Sequence, residues 1–303
     1  DMTPPFGFPS RRSVVSGFNG AVATSQPLAA MAGLRMLLQG GNAADAAVAT
    51  AAALNVVEPM STGMGGDAFA LIYWAAEKKV YALNASGRAP YAATVEEYRG
   101  RGLERVPTRG ILPVTVPGAA AGWADTVARF GRLGLDTVLQ PAIEYAESGF
   151  PVSEMIARSW AGAQDLLRGD PEAARVYLPD GRAPRVGERF RSPDLAASLS
   201  LLARDGPDAS YRGPIAQAIA ATSAKLGGLL TAQDLSEHTS TWAEPIQTDY
   251  RGFSVFECPP NGQGIAALIA LNILSGHDLR AMGFGSADAT HLKMEAIKLA
   301  MND

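Results

Sequence analysis

The sequence predicts an α+β fold in which β-hairpins and helices follow one another without a regular repeat. One hairpin is indicated by residues 68–74 and 79–85, and a second by residues 246–250 and 253–258, because turn residues separate each pair of apolar runs. Helical periodicity dominates most of the remaining chain. A doubly wound parallel sheet needs strand–helix–strand repeats, so this mixture favours α+β or antiparallel layers.

The other elements are predicted from breakers and apolar periodicity. A first strand is expected within Val14–Thr24, and Pro27 suits the first turn of a helix that reaches about Gln39. Pro141 is expected near the start of a later helix for the same reason. The remaining predictions are an extended segment at 114–116, helices ending at 130 and spanning 139–149, 193–204, 215–226, 264–275 and 287–300, short helices and loops over 150–190, and a short turn at 232–237.

The stretch from Gln39 to Tyr73 is the most distinctive part of the chain. Gly40 and Gly41 are predicted to stop one helix, and Asn42 can cap the next. That next helix, residues 43–57, consists almost entirely of small or apolar residues, so other elements can approach it closely. Glu58 precedes a proline and is expected to end it.

A glycine-rich loop, Ser61–Asp67, connects this helix to the first hairpin. Its three glycines predict positive φ angles or tight contact with a neighbouring element. Phosphate-binding loops run from a strand into a helix, whereas this one runs from a helix into a strand and no lysine follows it, so a nucleotide site is not expected. Two interpretations stay open: a close-packed crossover, or a loop in which Gly65, Gly66 and Asp67 also line a catalytic pocket.

Composition excludes several classes of protein. The 303 residues are 47% hydrophobic and 18% charged with a net charge of −4, which fits a well-buried globular chain and gives no support for nucleic-acid binding. Arg11 and Arg12 are interpreted as part of a solvated N-terminal arm. No apolar run reaches membrane-spanning length. The single cysteine, Cys258, excludes an intrachain disulfide and is expected to be buried.

The sequence shows no complete active site of its own. His238, His277 and His291 are far apart in sequence and form no metal-binding pattern, and core or surface roles are expected for them. No Gly-x-Ser-x-Gly motif is present, and Cys258 has no evident base partner. No metal or organic cofactor is indicated.

Several motifs, in order and spacing, resemble the large subunit of the γ-glutamyltranspeptidase family, whose members are N-terminal-nucleophile hydrolases. The resemblance covers about residues 20–303, and its breadth makes it far more specific than any single motif. The motifs are the 39–73 stretch, Val116-Pro-Gly-Ala-Ala-Ala-Gly-Trp123, Phe130-Gly-Arg-Leu133, Leu139 to Val152, Tyr211-Arg-Gly-Pro-Ile-Ala216, Gly227 to Leu235, and Pro259-Pro-Asn-Gly-Gln-Gly-Ile265 leading into Leu271-Asn-Ile-Leu274.

The resemblance implies a four-layer αββα sandwich completed by a second, small subunit cut from the same precursor. Residues 1–303 would be the large-subunit portion of that single domain, and the C-terminal part of the large subunit can lie beyond them. The family's nucleophile is the new N-terminal threonine of the small subunit, so no catalytic residue is expected in this chain. The resemblance also implies an αβ heterodimer, or an α2β2 assembly, that acts on a small amide. It implies no nucleic-acid partner, no membrane partner and no cofactor.

One departure from the family lies at the expected carboxylate-binding arginine. Aligned on Ala89-Pro90, the chain carries Ser86 where γ-glutamyl enzymes carry that arginine, and Arg88 follows two residues later. Residues two apart share a face of a strand, so Arg88 can reach a carboxylate by a shifted route. The alternative is a solvent-facing Arg88 paired with a nearby acid.

The second departure is Pro259-Pro-Asn-Gly-Gln-Gly264, where transpeptidases carry a serine-rich, glycine-rich sequence. Asn261 and Gln263 can donate hydrogen bonds to a substrate or to the partner subunit. Asn261-Gly262 is also an ordinary turn pair, which is the alternative interpretation.

Together the departures favour a self-processing amidohydrolase or acylase that takes a small carboxylate-bearing amide or a dicarboxylate monoamide. The alternatives are a true γ-glutamyl transpeptidase or glutathione hydrolase, a cephalosporin or glutaryl acylase, and a non-catalytic binding protein with the same fold. Asp1 before Met2 suggests a native start at Met2 without an export signal. A cytoplasmic enzyme is therefore expected, or a periplasmic or secreted one if a signal peptide has been removed.

Overall fold

The computed structural model describes residues 13–302, so the predictions made for Asp1, Met2, Arg11 and Arg12 concern residues outside it. The chain divides into two compact units. We call residues 19–68 and 85–240 the helical unit. We call the described residues of the other, 13–18, 69–84 and 241–302, the hairpin unit.

The described residues 13–302 form fourteen α-helices and seven strands. Their bounds are α1 Pro27–Leu38, α2 Ala43–Val57, β1 Ala68–Trp74, β2 Lys79–Ala85, α3 Val95–Gly100, α4 Ala119–Phe130, α5 Leu135–Ser148, β3 Phe150–Pro151, α6 Glu154–Gly162, α7 Gln164–Arg168, α8 Pro171–Tyr177, β4 Arg189–Phe190, α9 Pro193–Asp205, α10 Asp208–Tyr211, α11 Pro214–Lys225, α12 Ala232–Ser236, β5 Thr241–Ala243, β6 Ile246–Tyr250, β7 Phe253–Glu257, α13 Gly264–Ser275 and α14 Ala287–Asn302.

The core of the helical unit forms around α2, which packs against α1, α4 and α5. Ala49, Ala52 and Ala53 of α2 are completely buried. Side chains this small let neighbouring backbones approach closely, and the core is then filled by larger side chains from the surrounding helices. The bounds of α2 agree with the helix predicted over residues 43–57.

The predicted N-cap of α2 is confirmed. The Asn42 Oδ1 atom accepts hydrogen bonds from the backbone N–H groups of Ala44 at 2.9 Å and Asp45 at 3.3 Å. Asp45 reciprocates by accepting the Asn42 N–H at 2.8 Å, which completes a capping box.

In the hairpin unit, β1, β2 and β5 form an antiparallel-paired sheet in that order, and β6 pairs with β7 as a second hairpin. Arg251 and Gly252 connect β6 to β7 with φ angles of 52° and 85°. Positive φ at both central residues gives the turn whose twist matches the flanking strands. Helices α13 and α14 pack against each other, with Ala270, Leu274 and Ala296 in their common core.

Two local predictions are wrong, and one of two alternatives for the glycine-rich loop is met. Residues 14–24 form no strand, and α5 begins at Leu135, so Pro141 lies inside the helix instead of near its start. None of the three glycines in the Ser61–Asp67 loop has a positive φ. The tight contact predicted as the other explanation does occur, at Gly66.

Candidate functional site

The glycine-rich loop is tied to the first turn of α4. The Gly66 carbonyl accepts hydrogen bonds from the backbone N–H groups of Gly118 and Ala119, each at 2.9 Å. A helix start leaves such N–H groups without intrahelical partners, and the loop supplies one for them. These two donors of α4 are therefore occupied by the loop. Gly65 is exposed and Gly66 is half-buried.

The segment Ser86–Arg88 lies directly against the residues that lead into α4. The Arg88 carbonyl accepts the Val116 N–H at 3.0 Å, and the Gly87 N–H donates to Asp67 Oδ1 at 3.2 Å. A Cβ at Gly87 would lie only 1.5 Å from the Val116 carbonyl oxygen, so only glycine fits there. Asp67 thus fixes the backbone beside Arg88, a role that sequence patterns did not indicate.

The Arg88 side chain is exposed and held at the end of α12. Its Nη2 donates to the main-chain carbonyl of Glu237 at 3.3 Å, and its guanidinium lies 5.8 Å from the centre of the Tyr91 ring. The carbonyls at a helix C-terminus lack intrahelical donors, and a guanidinium can satisfy them. Arg88 thus faces solvent, as one alternative predicted, but its hydrogen bond goes to a backbone carbonyl and not to a carboxylate.

Tyr91 and Glu237 form the polar surroundings of Arg88. The Tyr91 hydroxyl donates to Glu237 Oε2 at 2.7 Å, and the Tyr91 N–H donates to Asp234 Oδ1 at 2.8 Å. The hydroxyl bond lowers the pKa of the Glu237 carboxyl and raises that of the Tyr91 phenol. Glu237 therefore stays ionised, with Arg88 contributing to its stabilisation.

His238 follows Glu237 and is buried. Its ring stacks on Tyr211 with centroids 4.9 Å apart, and its Nε2 atom is buried without a hydrogen-bond partner among the described residues. Burial lowers the pKa of the imidazole, and the nearby charge of Arg88 lowers it further, while Asp125 and Asp67 oppose the shift. His238 is therefore neutral near pH 7.

The Tyr211 hydroxyl links this stack to the start of α4. It donates to the Pro117 carbonyl at 2.7 Å and accepts the Ala121 N–H at 3.1 Å. Burial raises the pKa of Tyr211 to about 12, so the phenol keeps its proton and can act as the donor. The same few residues before α4 thus contact the Ser86–Arg88 segment and Tyr211.

The structure brings together some of the predicted site residues. In the helical unit, the carbonyls of Gly66 and Arg88 both bond residues at or just before the start of α4, and the Asp67 carboxylate accepts the N–H of Gly87, next to Arg88 and the half-exposed Ser86. The exposed Asn261 and Gln263 belong to the hairpin unit, where Asn261 Oδ1 accepts a bond from Asn84 Nδ2 at 2.8 Å.

Sequence reasoning missed Tyr91, Tyr211, Glu237 and His238 as neighbours of Arg88. Tyr91 is close to Arg88 in sequence, whereas Glu237, His238 and the Tyr211 ring that stacks on His238 are brought to it only by tertiary contacts. Across residues 13–302, no group of three or more His, Cys, Asp or Glu side chains is arranged to hold a metal ion. None of the helices in this range combines the length and apolarity needed to span a bilayer.

Comparison with known proteins identifies the fold and the family of this chain. The chain superimposes on the crystal structure of a cephalosporin acylase from Bacillus halodurans with a TM-score of 0.92 and 47% identity, covering 98% of this chain and 56% of that one. This match confirms the predicted α+β class and the N-terminal-nucleophile hydrolase fold. The gamma-glutamyltranspeptidase family model matches residues 29–303, and the chain belongs to that family.

Curated relatives within the family carry different activities in their names. The "Glutathione hydrolase-like YwrD proenzyme" of Bacillus subtilis is 41% identical over 95% of this chain and 55% of its own length. The "Oxamate amidohydrolase proenzyme" of Klebsiella pneumoniae is 36% identical over 93% of this chain and 54% of its own length. The chain therefore spans about half the length of these relatives.

Proposed function

We propose that this chain is the large-subunit portion of a self-processing amidohydrolase. The observation that carries the proposal is that nearly all of the chain matches about half of each relative named a proenzyme. The other half would supply a small subunit that begins with threonine. Its hydroxyl would attack the amide carbonyl while its own α-amino group acts as general base, and water would release the acyl group.

We further propose that the substrate is a small amide bearing a carboxylate, bound by Arg88. An arginine has five N–H donors, and one of them already contacts the Glu237 carbonyl, so the guanidinium can orient itself and still bind a carboxylate in bidentate fashion. Oxamate is the monoamide of a dicarboxylic acid, and a relative named for its hydrolysis supports this substrate class. The predicted substrate-binding roles of Ser86, Asn261 and Gln263 stay proposals. So do the predicted pocket-lining roles of Gly65, Gly66 and Asp67.

A cephalosporin or glutaryl acylase is a second candidate. The 47% identity to a structure named a cephalosporin acylase favours it. A glutaryl amide also carries a terminal carboxylate, so Arg88 would have the same role there. A γ-glutamyl transferase is the third candidate; it differs in needing a site for the substrate's α-amino group as well as its carboxylate. Cytoplasmic location stays a prediction.

Processing is the first test. The complete translation product containing this chain is purified, and its intact mass is followed over time. We expect cleavage into two chains that co-purify, with threonine as the first residue of the smaller one. A product that stays uncut and binds amides without hydrolysing them would instead identify a non-catalytic binding protein.

Substrate class is the second test. Hydrolysis of oxamate, glutaryl-p-nitroanilide and γ-glutamyl-p-nitroanilide is measured with and without an acceptor dipeptide. We expect hydrolysis of carboxylate-bearing amides with little transfer, whereas robust transfer to the dipeptide would identify a transpeptidase.

The role of Arg88 is the third test. Arg88→Gln should raise KM for a carboxylate-bearing amide about tenfold or more, because charge-assisted hydrogen bonds contribute about 1.5–3 kcal/mol. Arg168→Gln, in an exposed pair with Asp165, is the matched control.

A further inference from the structure

We infer that His238 is a positioning residue for Arg88, acting through the peptide group that joins Glu237 to His238. This inference rests on the proposed role of Arg88 in carboxylate binding. The acceptor that holds the Arg88 guanidinium is the Glu237 carbonyl, at 3.3 Å. That carbonyl belongs to the same rigid peptide plane as the His238 nitrogen, so whatever fixes the backbone of His238 also fixes the acceptor.

The His238 backbone is fixed on both sides. Its N–H donates to the Leu235 carbonyl at 3.1 Å, which closes the last turn of α12. The residue is only 8% exposed, and its ring stacks on Tyr211, whose hydroxyl bonds Pro117 and Ala121 at the start of α4. The ring thus connects the Glu237 carbonyl to the residues against which the Ser86–Arg88 segment is packed.

Two consecutive carbonyls at the C-terminal end of α12 each accept a hydrogen bond from an arginine. Arg212 Nη2 donates to the carbonyl of Ser236 at 2.8 Å, one residue before the carbonyl that holds Arg88. Arg212 is also paired with Asp208 at 2.6 Å, whereas Arg88 is held by the Glu237 carbonyl and the Tyr91 ring. Of the two arginines, Arg88 is the one proposed to bind a substrate carboxylate with its remaining donors while the Glu237 carbonyl orients it.

Aromatic packing, not hydrogen bonding, is the means by which His238 acts. Its Nε2 atom is buried without a partner among the described residues, so the ring is held there by its shape and by its stacking on Tyr211. Replacement by another flat ring should preserve the peptide plane. Removal of the ring should release the Glu237 carbonyl and let the guanidinium of Arg88 move, and small misplacements of binding groups have large kinetic effects.

The test uses the processed two-chain enzyme and a KM-against-kcat comparison. His238→Ala is expected to raise KM for a carboxylate-bearing amide about tenfold with kcat little changed, and to leave an amide without a carboxylate unaffected. His238→Phe should restore KM to within about twofold of the unmodified enzyme. His291→Ala, at an exposed site in α14, is the matched control. If His238→Phe is as impaired as His238→Ala, the inference is overturned.

A double-mutant cycle tests whether His238 acts through Arg88. In the Arg88→Gln background, His238→Ala should cause no further rise in KM, because the group that it positions is already gone. An equal rise in both backgrounds would mean that His238 acts elsewhere, and would overturn the inference.

An NMR measurement separates this inference from the proposed function. The Arg88 guanidinium N–H signal, assigned by its absence in Arg88→Gln, should be lost or broadened in His238→Ala and retained in His238→Phe. If it behaves so while Arg88→Gln leaves KM unchanged, the positioning role stands and the carboxylate role of Arg88 fails. If Arg88→Gln raises KM but the signal is unaffected in His238→Ala, the positioning role fails alone.

Discussion

Two glycines allow the Arg88 segment to lie directly on the backbone that leads into α4. A Cβ at Gly87 would lie 1.5 Å from the Val116 carbonyl oxygen, and one at Gly118 would lie 1.9 Å from the Ala85 carbonyl oxygen. Both contacts are with backbone atoms, which cannot rotate away as a side chain can. The two segments must therefore separate if either glycine gains a side chain.

We expect Gly87→Ala to lower the free energy of unfolding by about 3 kcal/mol, because the overpacked backbone cannot relax locally. The measurement is the midpoint of thermal unfolding, compared with Gly100→Ala. A Cβ at Gly100, in the exposed helix α3, meets nothing within 4 Å, and alanine there should be neutral or stabilising by up to about 1 kcal/mol. Equal midpoints for the two variants would contradict the prediction.

His238 should make the protein less stable in acid. Burial, followed by the charge of Arg88, lowers the pKa of the imidazole in the folded state. The unfolded chain then binds the extra proton first, so stability falls as the pH drops below the unfolded pKa of about 6.5. Unfolding midpoints measured from pH 7.5 to pH 5 should show a smaller loss for His238→Phe than for the unmodified protein. His291→Gln is the control, and a similar loss in His238→Phe would contradict the expectation.

At the scale of elements, Asp45 joins the start of α2 to the residues that follow α4. Its carboxylate is completely buried and accepts backbone N–H groups from Asn42 at 2.8 Å, Arg132 at 3.0 Å and Leu133 at 3.3 Å. A carboxylate has acceptors only, which matches three converging donors. One side chain thus satisfies backbone N–H groups at the start of α2 and just after the end of α4.

We expect Asp45→Asn to destabilise the protein by about 2–3 kcal/mol, because its amide group would turn a donor toward donors and leave a buried N–H group unsatisfied. Denaturant unfolding is the measurement. Asp165→Asn is the control, since Asp165 is almost fully exposed in a surface pair with Arg168 and should change stability by less than about 0.5 kcal/mol. A loss of stability as small as that of the control would show that Asp45 is not needed for this junction.

Local rules predicted the elements whose ends are determined locally. The Asn42 cap and the end of α2 at Val57 follow from side chains within a few residues, and the sequence indicated both correctly. The predicted start of α5 is wrong because Pro141 is expected in the first turn of the helix. The structure has six helical residues before it, starting at Leu135. Tertiary packing of α5 against α2 and α9 outweighs the hydrogen bond that proline cannot donate.

The surroundings of Arg88 could not be predicted from the sequence in the same way. The motif comparison selected Arg88 and Ser86, but the acceptor at Glu237 and the stack of His238 on Tyr211 lie more than a hundred residues away in sequence. The glycine-rich loop illustrates the same limit. Its three glycines predicted positive φ angles or a tight contact, and only the structure shows that the contact is made, by the Gly66 carbonyl with the start of α4.

At the scale of the whole molecule, the two units differ in how completely they bury their apolar side chains. The helical unit has an extensive core around α2. In the hairpin unit, β1 exposes Phe69, Leu71 and Tyr73 on one face, with 43%, 41% and 62% of their surfaces accessible. Alternate residues of a strand share a face, so these three side chains form a continuous apolar row. Contiguous exposed apolar surface on a protein is typical of an interaction site.

Helix α14 repeats this pattern with Met294, Ile297 and Met301, which are 59%, 55% and 56% exposed and lie at helical spacing on one face. If the proposed small subunit covers these surfaces, residues 1–303 produced alone should bind an apolar dye such as ANS more strongly than the processed two-chain enzyme does. Leu71→Lys should reduce dye binding by the isolated chain, because it interrupts the row on β1 at an already exposed position. Equal dye binding by the isolated chain and the two-chain enzyme would mean that these faces stay open to solvent in the complete protein.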